Sequence, residues 1–212
     1  MYRAFNTSRP KRKLIITLVN EKININSKSF TITFSAEFID ELMSSSLIRR
    51  KTASYKFFIN NKEKQLVCPM LKSDDKKNIV ICPSIKLPNR KYPVYVYIYA
   101  VILYLSSGLS MRKVALKVRT KFGLENFSHS TLSRVLNKLS LNAEEISMLL
   151  DTDDFEEPQT EIKMRPAWKE TQLKKYQILH KTLSPILDPD KYMDFSSLLS
   201  YQFYERYHKY LI

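Results

Sequence analysis

The chain has 212 residues, of which 44% are hydrophobic, and it carries a formal net charge of +14 at pH 7. The length fits one large domain or two small ones, and the apolar content excludes a chain that is disordered throughout. The charge predicts attraction to polyanions, namely nucleic acid or an anionic membrane surface. Only two glycines occur, which excludes the glycine-rich loops that hold nucleotide phosphates.

The positive charge is confined to the first two thirds of the sequence. The net charge is +7 over residues 1–60 and +11 over residues 61–140, but −4 over residues 141–212. An ordinary solubilising surface, the alternative interpretation, mixes both signs along the whole chain. The pattern therefore places the polyanion-binding part before residue 141.

The first 83 residues predict a basic arm followed by a small α+β unit. Residues 1–13 form the arm, with four cations around Pro10. Partly alternating β-branched patterns then predict strands over 14–20, 29–34, 55–59, 64–68 and 78–82. Ser35 is a predicted N-cap, because Phe38, Ile39 and Leu42 follow it at helical spacing.

Two cysteines lie within this unit, Cys68 and Cys82, and each precedes a proline. They resemble two half-sites of a zinc ribbon, but each half lacks its second thiol and a structural zinc site needs four ligands. We therefore predict either a decayed ribbon that folds without metal or two buried, inert thiols. We expect no metal and no cofactor, and the low cysteine count indicates a reducing, intracellular setting.

Three helices with identifiable ends are predicted between residues 94 and 140. The first runs over 94–106 and stops at Gly108, and the second starts at the N-cap Ser110 and stops at Gly123. The third starts at the N-cap Ser128. Its apolar residues recur at i, i+3, i+4 and i+7 and predict one buried face: Leu132, Val135, Leu136 and Leu139.

Outside its apolar stripe the third predicted helix carries polar and basic side chains and no acid. Arginine and asparagine can make bidentate hydrogen bonds to guanine and adenine, and short hydroxyl side chains let a helix approach a groove closely. The cations of the second helix can contact backbone phosphates, which gives affinity without sequence information. The candidate DNA-binding residues are Ser128, His129, Ser130, Thr131, Ser133, Arg134, Asn137 and Lys138 on the third helix, and Arg112, Lys113, Lys117 and Lys121 on the second.

Three sequence elements of this region form a pattern: Tyr92-Pro93 before an aromatic-rich helix, Leu109-Ser110-Met111-Arg112, and Ser128-His129-Ser130-Thr131-Leu132-Ser133-Arg134. This pattern resembles the N-terminal helix-turn-helix of bacterial insertion-sequence transposases. The resemblance covers about 50 residues and implies binding of double-stranded DNA, with the third helix in the major groove. A structural three-helix bundle is the alternative interpretation of the same pattern.

The transposase family continues into a catalytic domain with three metal-binding carboxylates. Here the densest group of acids after residue 140 is one run at 151–157, whereas carboxylates that hold two metals must converge from separate elements. We therefore predict no catalytic residues and no enzyme activity. The alternative is the N-terminal fragment or subunit of a transposase that acts with a separate catalytic chain.

The fold prediction is an α+β protein with five segments. They are the arm 1–13, the α+β unit 14–83, the helix-turn-helix module 84–150, an acidic linker 151–159 and a helical, aromatic-rich tail 160–212. Aromatic residues are favoured at interfaces, so the tail predicts either homodimerisation or packing on the core. The most apolar run, 94–105, is shorter than the roughly 20 residues that span a bilayer. We predict a cytoplasmic, nucleoid-associated protein without membrane contact, although RNA or a membrane surface could also bind the basic arm.

Overall fold

The computed structural model describes residues 13–17, 23–25, 29–32, 48–59, 62–72, 78–87, 89–150, 161–184 and 192–212. It divides the chain into two compact units. One unit contains Met1–Lys56 and Lys64–Pro83, and the other contains Phe57–Glu63 and Ser84–Ile212. The predicted arm before Lys13, the predicted helix after Ser35 and the predicted acidic linker lie outside the described residues.

The described residues of the first unit lie in a six-stranded mixed sheet. The strands are β1 (Lys13–Thr17), β2 (Ile23–Ile25), β3 (Ser29–Ile32), β4 (Ile48–Ile59), β5 (Lys62–Lys72) and β6 (Asn78–Pro83). The order is β1-β6-β5-β3-β2, and β4 also pairs with β5. β1 runs parallel to β6 and β3 parallel to β5, whereas the β2–β3 and β5–β6 pairs are antiparallel.

All five predicted strands are present, and the mixed α+β class is confirmed. Three details differ from the prediction, one of them being that β5 extends over Lys62–Lys72 rather than 64–68. β4 begins at Ile48 rather than residue 55, because strand pairing uses backbone groups and tolerates the polar run Arg49–Lys51. β2 was not predicted, because its three residues, Ile23–Ile25, are too few to show alternation.

The second unit contains six helices among the described residues. They are α1 (Val94–Ser107), α2 (Met111–Phe122), α3 (His129–Leu141), α4 (Ala143–Leu149), α5 (Glu170–Leu183) and α6 (Tyr192–Tyr207). The first three lie where the sequence predicts helices. α5 and α6 lie in the tail that the sequence predicts to be helical, whereas the short α4 was not predicted.

Helix α1 forms the core of this unit. Ten of its 14 residues are buried, which is the pattern of a helix that is covered on all sides. It packs against α2, α3, α5 and α6. The helices of the predicted tail therefore belong to the same compact unit as α1–α3.

Arg165 attaches the segment before α5 to the end of α1. Its Nη2 donates hydrogen bonds to the carbonyl oxygens of Tyr104 (3.0 Å) and Leu109 (2.6 Å). The guanidinium also lies 4.0 Å from the centroid of the Tyr104 ring. Nearby, the Lys163 N–H donates to the Leu105 carbonyl at 2.8 Å. These contacts supply donors to the carbonyl groups that a helix C-terminus leaves unpaired.

Several aromatic residues of the tail pack against other rings of the chain. Trp168 lies edge-on to both Tyr104 and Tyr176, and Phe203 is fully buried beside Tyr207. Homodimerisation through 160–212 stays a prediction. Among the described residues, none of the helices combines the length and the apolarity that crossing a bilayer requires.

Candidate nucleic-acid interface

Helix α2 begins and ends at the predicted residues, and helix α3 begins at its predicted N-cap. Ser110 and Ser128 are the N-caps, and their Oγ atoms accept hydrogen bonds from the backbone N–H groups of Lys113 (3.4 Å) and Thr131 (3.1 Å). Gly108 ends α1 at φ 66° and Gly123 ends α2 at φ 61°. These left-handed conformations are why glycine occupies both positions.

Buried aromatic rings hold the connection between α2 and α3. The Tyr92 hydroxyl donates a hydrogen bond to the carbonyl oxygen of Asn126 at 2.7 Å. The Phe127 ring packs against those of Tyr92 and Tyr97, each with a centroid separation of 6.0 Å. Burial raises the pKa of Tyr97 to about 12, so its hydroxyl stays neutral. Core side chains of α1 and of the turn that precedes α1 therefore position the start of α3.

The apolar stripe of α3 is buried, as predicted. At about 100° per residue, Ser130, Arg134 and Asn137 lie within an arc of about 60° on the opposite side. Arg134 and Asn137 are exposed, and Ser130 is half-buried. Two polar side chains suited to base edges therefore share one accessible line along the helix.

The remaining α3 candidates flank this line or lie at the helix start. Ser128 and His129 are exposed at the N-terminus, whereas Thr131, Ser133 and Lys138 are half-buried. The Thr131 hydroxyl lies 3.0 Å from the Ser128 Oγ, so both side chains already take part in the cap. The cap leaves several N–H groups of the first turn free to donate to an anion.

The four α2 candidates, Arg112, Lys113, Lys117 and Lys121, are all exposed. The Lys121 ammonium lies 4.9 Å from the centroid of the Tyr99 ring, which orients its side chain. Neither α2 nor α3 has an acidic residue in its first turn. Arg112 and Lys113 instead place positive charge beside the positive end of the α2 dipole, an unfavourable arrangement that a bound anion would relieve.

Three residues of this region were not among the predicted candidates. Leu141 continues the line of Arg134 and Asn137 and is 72% exposed, and Leu116 is 54% exposed among the α2 cations. Both leucines are apolar, so they do not belong to a pattern of polar and basic residues. Their helical spacing nevertheless places them on the exposed side of each helix. Arg119 is half-buried on the flank of α2 that also carries Arg112.

The two cysteines lie in the first unit and are both free and buried. The Cys82 thiol donates to the Cys68 Sγ at 3.8 Å, so two thiols that are 14 residues apart meet across β5 and β6. Within the described ranges, no group of three or more His, Cys, Asp or Glu side chains is arranged to hold a metal ion.

In comparisons with protein-family models, curated proteins and solved structures, nothing matches the chain.

Proposed function

We propose that the chain binds double-stranded DNA through a helix-turn-helix module formed by α1–α3, with α3 in the major groove. The observation that carries the proposal is the exposed line of Arg134 and Asn137, opposite the buried stripe of α3. Arginine in such a position can bond guanine and asparagine can bond adenine, each through two hydrogen bonds. The function is recognition, without catalysis and without a cofactor.

The charges around this line support contact with the DNA backbone. Between residues 108 and 141 there are seven Lys and Arg residues and a single acid, Glu125. Lys113 and Lys117 are exposed on α2, where they can neutralise phosphates and release counterions. The N–H groups at the start of α3 add donors that suit a phosphate oxygen.

An origin in a transposable element is the second part of the proposal. It rests on the sequence resemblance of about 50 residues, and a separate chain that carries a catalytic carboxylate triad is its natural complement. A protein that binds chromosomal DNA in this way is expected at the nucleoid. A catalytic partner would be revealed by a neighbouring reading frame with well-separated acidic residues.

The test has two stages. Sequences that bind the full chain are first selected from random duplex DNA. Affinities for the selected and random duplexes are then measured at fixed salt for Arg134→Ala, Lys117→Ala and Lys174→Ala. The last is a charge-matched control, because Lys174 is exposed on α5. We expect Arg134→Ala to cost about 1–3 kcal/mol on the selected site and to relax its sequence preference. Lys117→Ala should weaken binding to every sequence about equally.

Lys174→Ala should leave the affinities for the selected and the random duplexes unchanged. If Arg134→Ala weakens binding to the selected and random duplexes by the same factor, α3 does not read bases. If the full chain does not bind duplex DNA even at low salt, the proposed function is wrong.

A further inference from the structure

A cavity of about 580 Å³ lies between α2 and the start of α3. Arg112, Ala115 and Arg119 line it from α2, at spacings of i, i+3 and i+7 that place them on one face of the helix. Alanine between two arginines leaves room that a larger side chain would fill. Glu125, Ser128 and His129 line the opposite side.

Arg119 lines this cavity with unused hydrogen-bond donors. Its Nε is buried and has no hydrogen-bond partner. In the part of the chain that the structure describes, its guanidinium forms neither a hydrogen bond nor an ion pair. Leaving a buried, charged donor unpaired is costly, and its five N–H donors match the oxygens of a phosphate group in geometry and charge.

The opposite side of the cavity also suits an anion. Ser128 and His129 begin α3, where the first-turn N–H groups have no partner within the helix and the dipole is positive. Glu125 is the one acidic side chain among the lining residues. Its carboxylate lowers the attraction for an anion without removing it, because two arginines line the same cavity.

We propose that this cavity binds one phosphate group, with the guanidinium groups of Arg119 and Arg112 as its cationic ligands. The phosphate could belong to a DNA backbone or to a free phosphorylated compound, and the chemistry of the contact is the same. The DNA backbone is favoured because Ser128 and His129 belong to both the cavity and the α3 surface. In that form the inference rests on the proposed function.

The experiment uses the full chain and three variants: Arg119→Gln, Glu125→Gln and the charge-matched control Arg206→Gln, whose arginine is exposed on α6. Thermal unfolding checks first that each variant is folded. Affinity for random duplex DNA is then measured at fixed salt. We expect Arg119→Gln to weaken binding about tenfold, Glu125→Gln to tighten it by a factor of two or more, and Arg206→Gln to change it by less than a factor of two.

The second arm detects the site directly. The Nε–Hε resonance of Arg119, assigned by its loss in Arg119→Gln, is followed by NMR during titration with duplex DNA, with inorganic phosphate and with sodium chloride at matched ionic strength. A shift with DNA and with phosphate, but not with chloride, supports the site.

The outcomes separate this inference from the proposed function. A shift with inorganic phosphate in a chain that does not bind DNA assigns the site to free phosphorylated compounds, and then the proposed function fails while the cavity assignment holds. DNA binding that depends on Arg134 but is unchanged in Arg119→Gln, with no shift of the Arg119 resonance, overturns the cavity assignment alone.

Discussion

A buried lysine stabilises the turn that leads into α1. Lys86 is 4% exposed, and its Nζ donates hydrogen bonds to the carbonyl oxygens of Leu87 and Arg90, each at 2.6 Å. The same turn is closed by a hydrogen bond from the Val94 N–H to the Ile85 carbonyl at 3.0 Å. The charge is therefore buried where it can bind backbone acceptors of a turn.

Lys86→Met should lower the free energy of unfolding by about 1–3 kcal/mol, because it keeps the aliphatic stem and removes a charged donor from buried carbonyl groups. The measurement is urea denaturation followed by circular dichroism. Lys117→Met is the matched control, because Lys117 is exposed on α2. Equal denaturation midpoints for the two variants would show that the hydrogen bonds of Lys86 contribute no net stability.

We expect His180 to make the stability of the second unit depend on pH. It is 4% exposed on α5, and burial lowers its pKa from the ordinary 6.5. The unfolded chain therefore binds this proton at a higher pH than the folded chain does. The free energy of unfolding should fall as the pH drops below about 6.5 and should not depend on this group above that value.

His180→Gln should reduce this dependence. Urea denaturation of wild type and variant at several pH values between 5 and 8 gives the contribution of His180 as the difference between the two curves. His129→Gln is the control, because His129 is exposed. A difference between wild type and His180→Gln that is constant over this pH range contradicts the prediction.

The residues that terminate the helices could be predicted from the sequence, whereas the long-range contacts could not. Gly108 and Gly123 are predictable because a left-handed conformation strongly favours glycine. The hydrogen bond from Tyr92 to Asn126 and the Arg165 contacts join residues that are 34 or more positions apart. No local pattern encodes such pairs, because each depends on how the helices pack.

At the level of elements, the N-cap of α3 combines a structural and a proposed binding role in Ser128. The two roles respond differently to negative charge. Aspartate is as good an N-cap as serine and interacts favourably with the helix dipole. A carboxylate at this position would, however, repel a phosphate group. One substitution can therefore separate folding from binding.

Ser128→Asp should leave the thermal unfolding temperature unchanged or raise it, and should weaken binding to duplex DNA about tenfold at low salt. Thr171→Asp is the control, because it adds the same charge to the exposed first turn of α5. Unfolding by circular dichroism and DNA affinity at several salt concentrations measure the two effects. Unchanged affinity in Ser128→Asp, or an equal loss in Thr171→Asp, would show that the start of α3 lies away from the DNA.

The apolar stripes of α2 and α3 made these elements predictable. Val114, Val118 and Phe122 are buried at the spacing that the sequence shows. The stripe also fixes which residues are exposed, so most of the candidate surface follows from it. The cavity beside Arg119 does not follow from the apolar stripe, because its shape depends on the position of the connection 123–128 relative to α2.

At the level of the whole molecule, the second unit joins parts of the chain that the sequence separates into three segments. The predicted segments divide the region after residue 83 at an acidic linker, because a run of charges is typical of a solvated connection. The structure instead assigns Ser84–Ile212 to one compact unit, together with Phe57–Glu63. Long-range packing on α1 explains this assignment, and the local charge pattern carries no information about it.

A chain that ends at residue 150 should therefore lose cooperative unfolding, although it keeps α1–α4. Removing α5 and α6 exposes the parts of α1 on which they pack, and each buried apolar side chain returned to water costs about 1.5–3 kcal/mol. Domains of this size are stable by only about 5–15 kcal/mol, so several such exposures suffice to unfold the unit. Removal of Arg165 also deprives the carbonyl groups of Tyr104 and Leu109 of their donor.

Thermal unfolding followed by near-ultraviolet circular dichroism measures this loss against the full chain. In the control, a protease site is placed within the predicted linker 151–159 and cut without removing the tail. Because the packing of α5 and α6 on α1 is noncovalent, the cut chain should keep its transition while the two pieces stay associated. A cooperative transition in the chain ending at residue 150 would show that α1–α4 fold alone. The helical tail would then be a separate segment that is available for interaction.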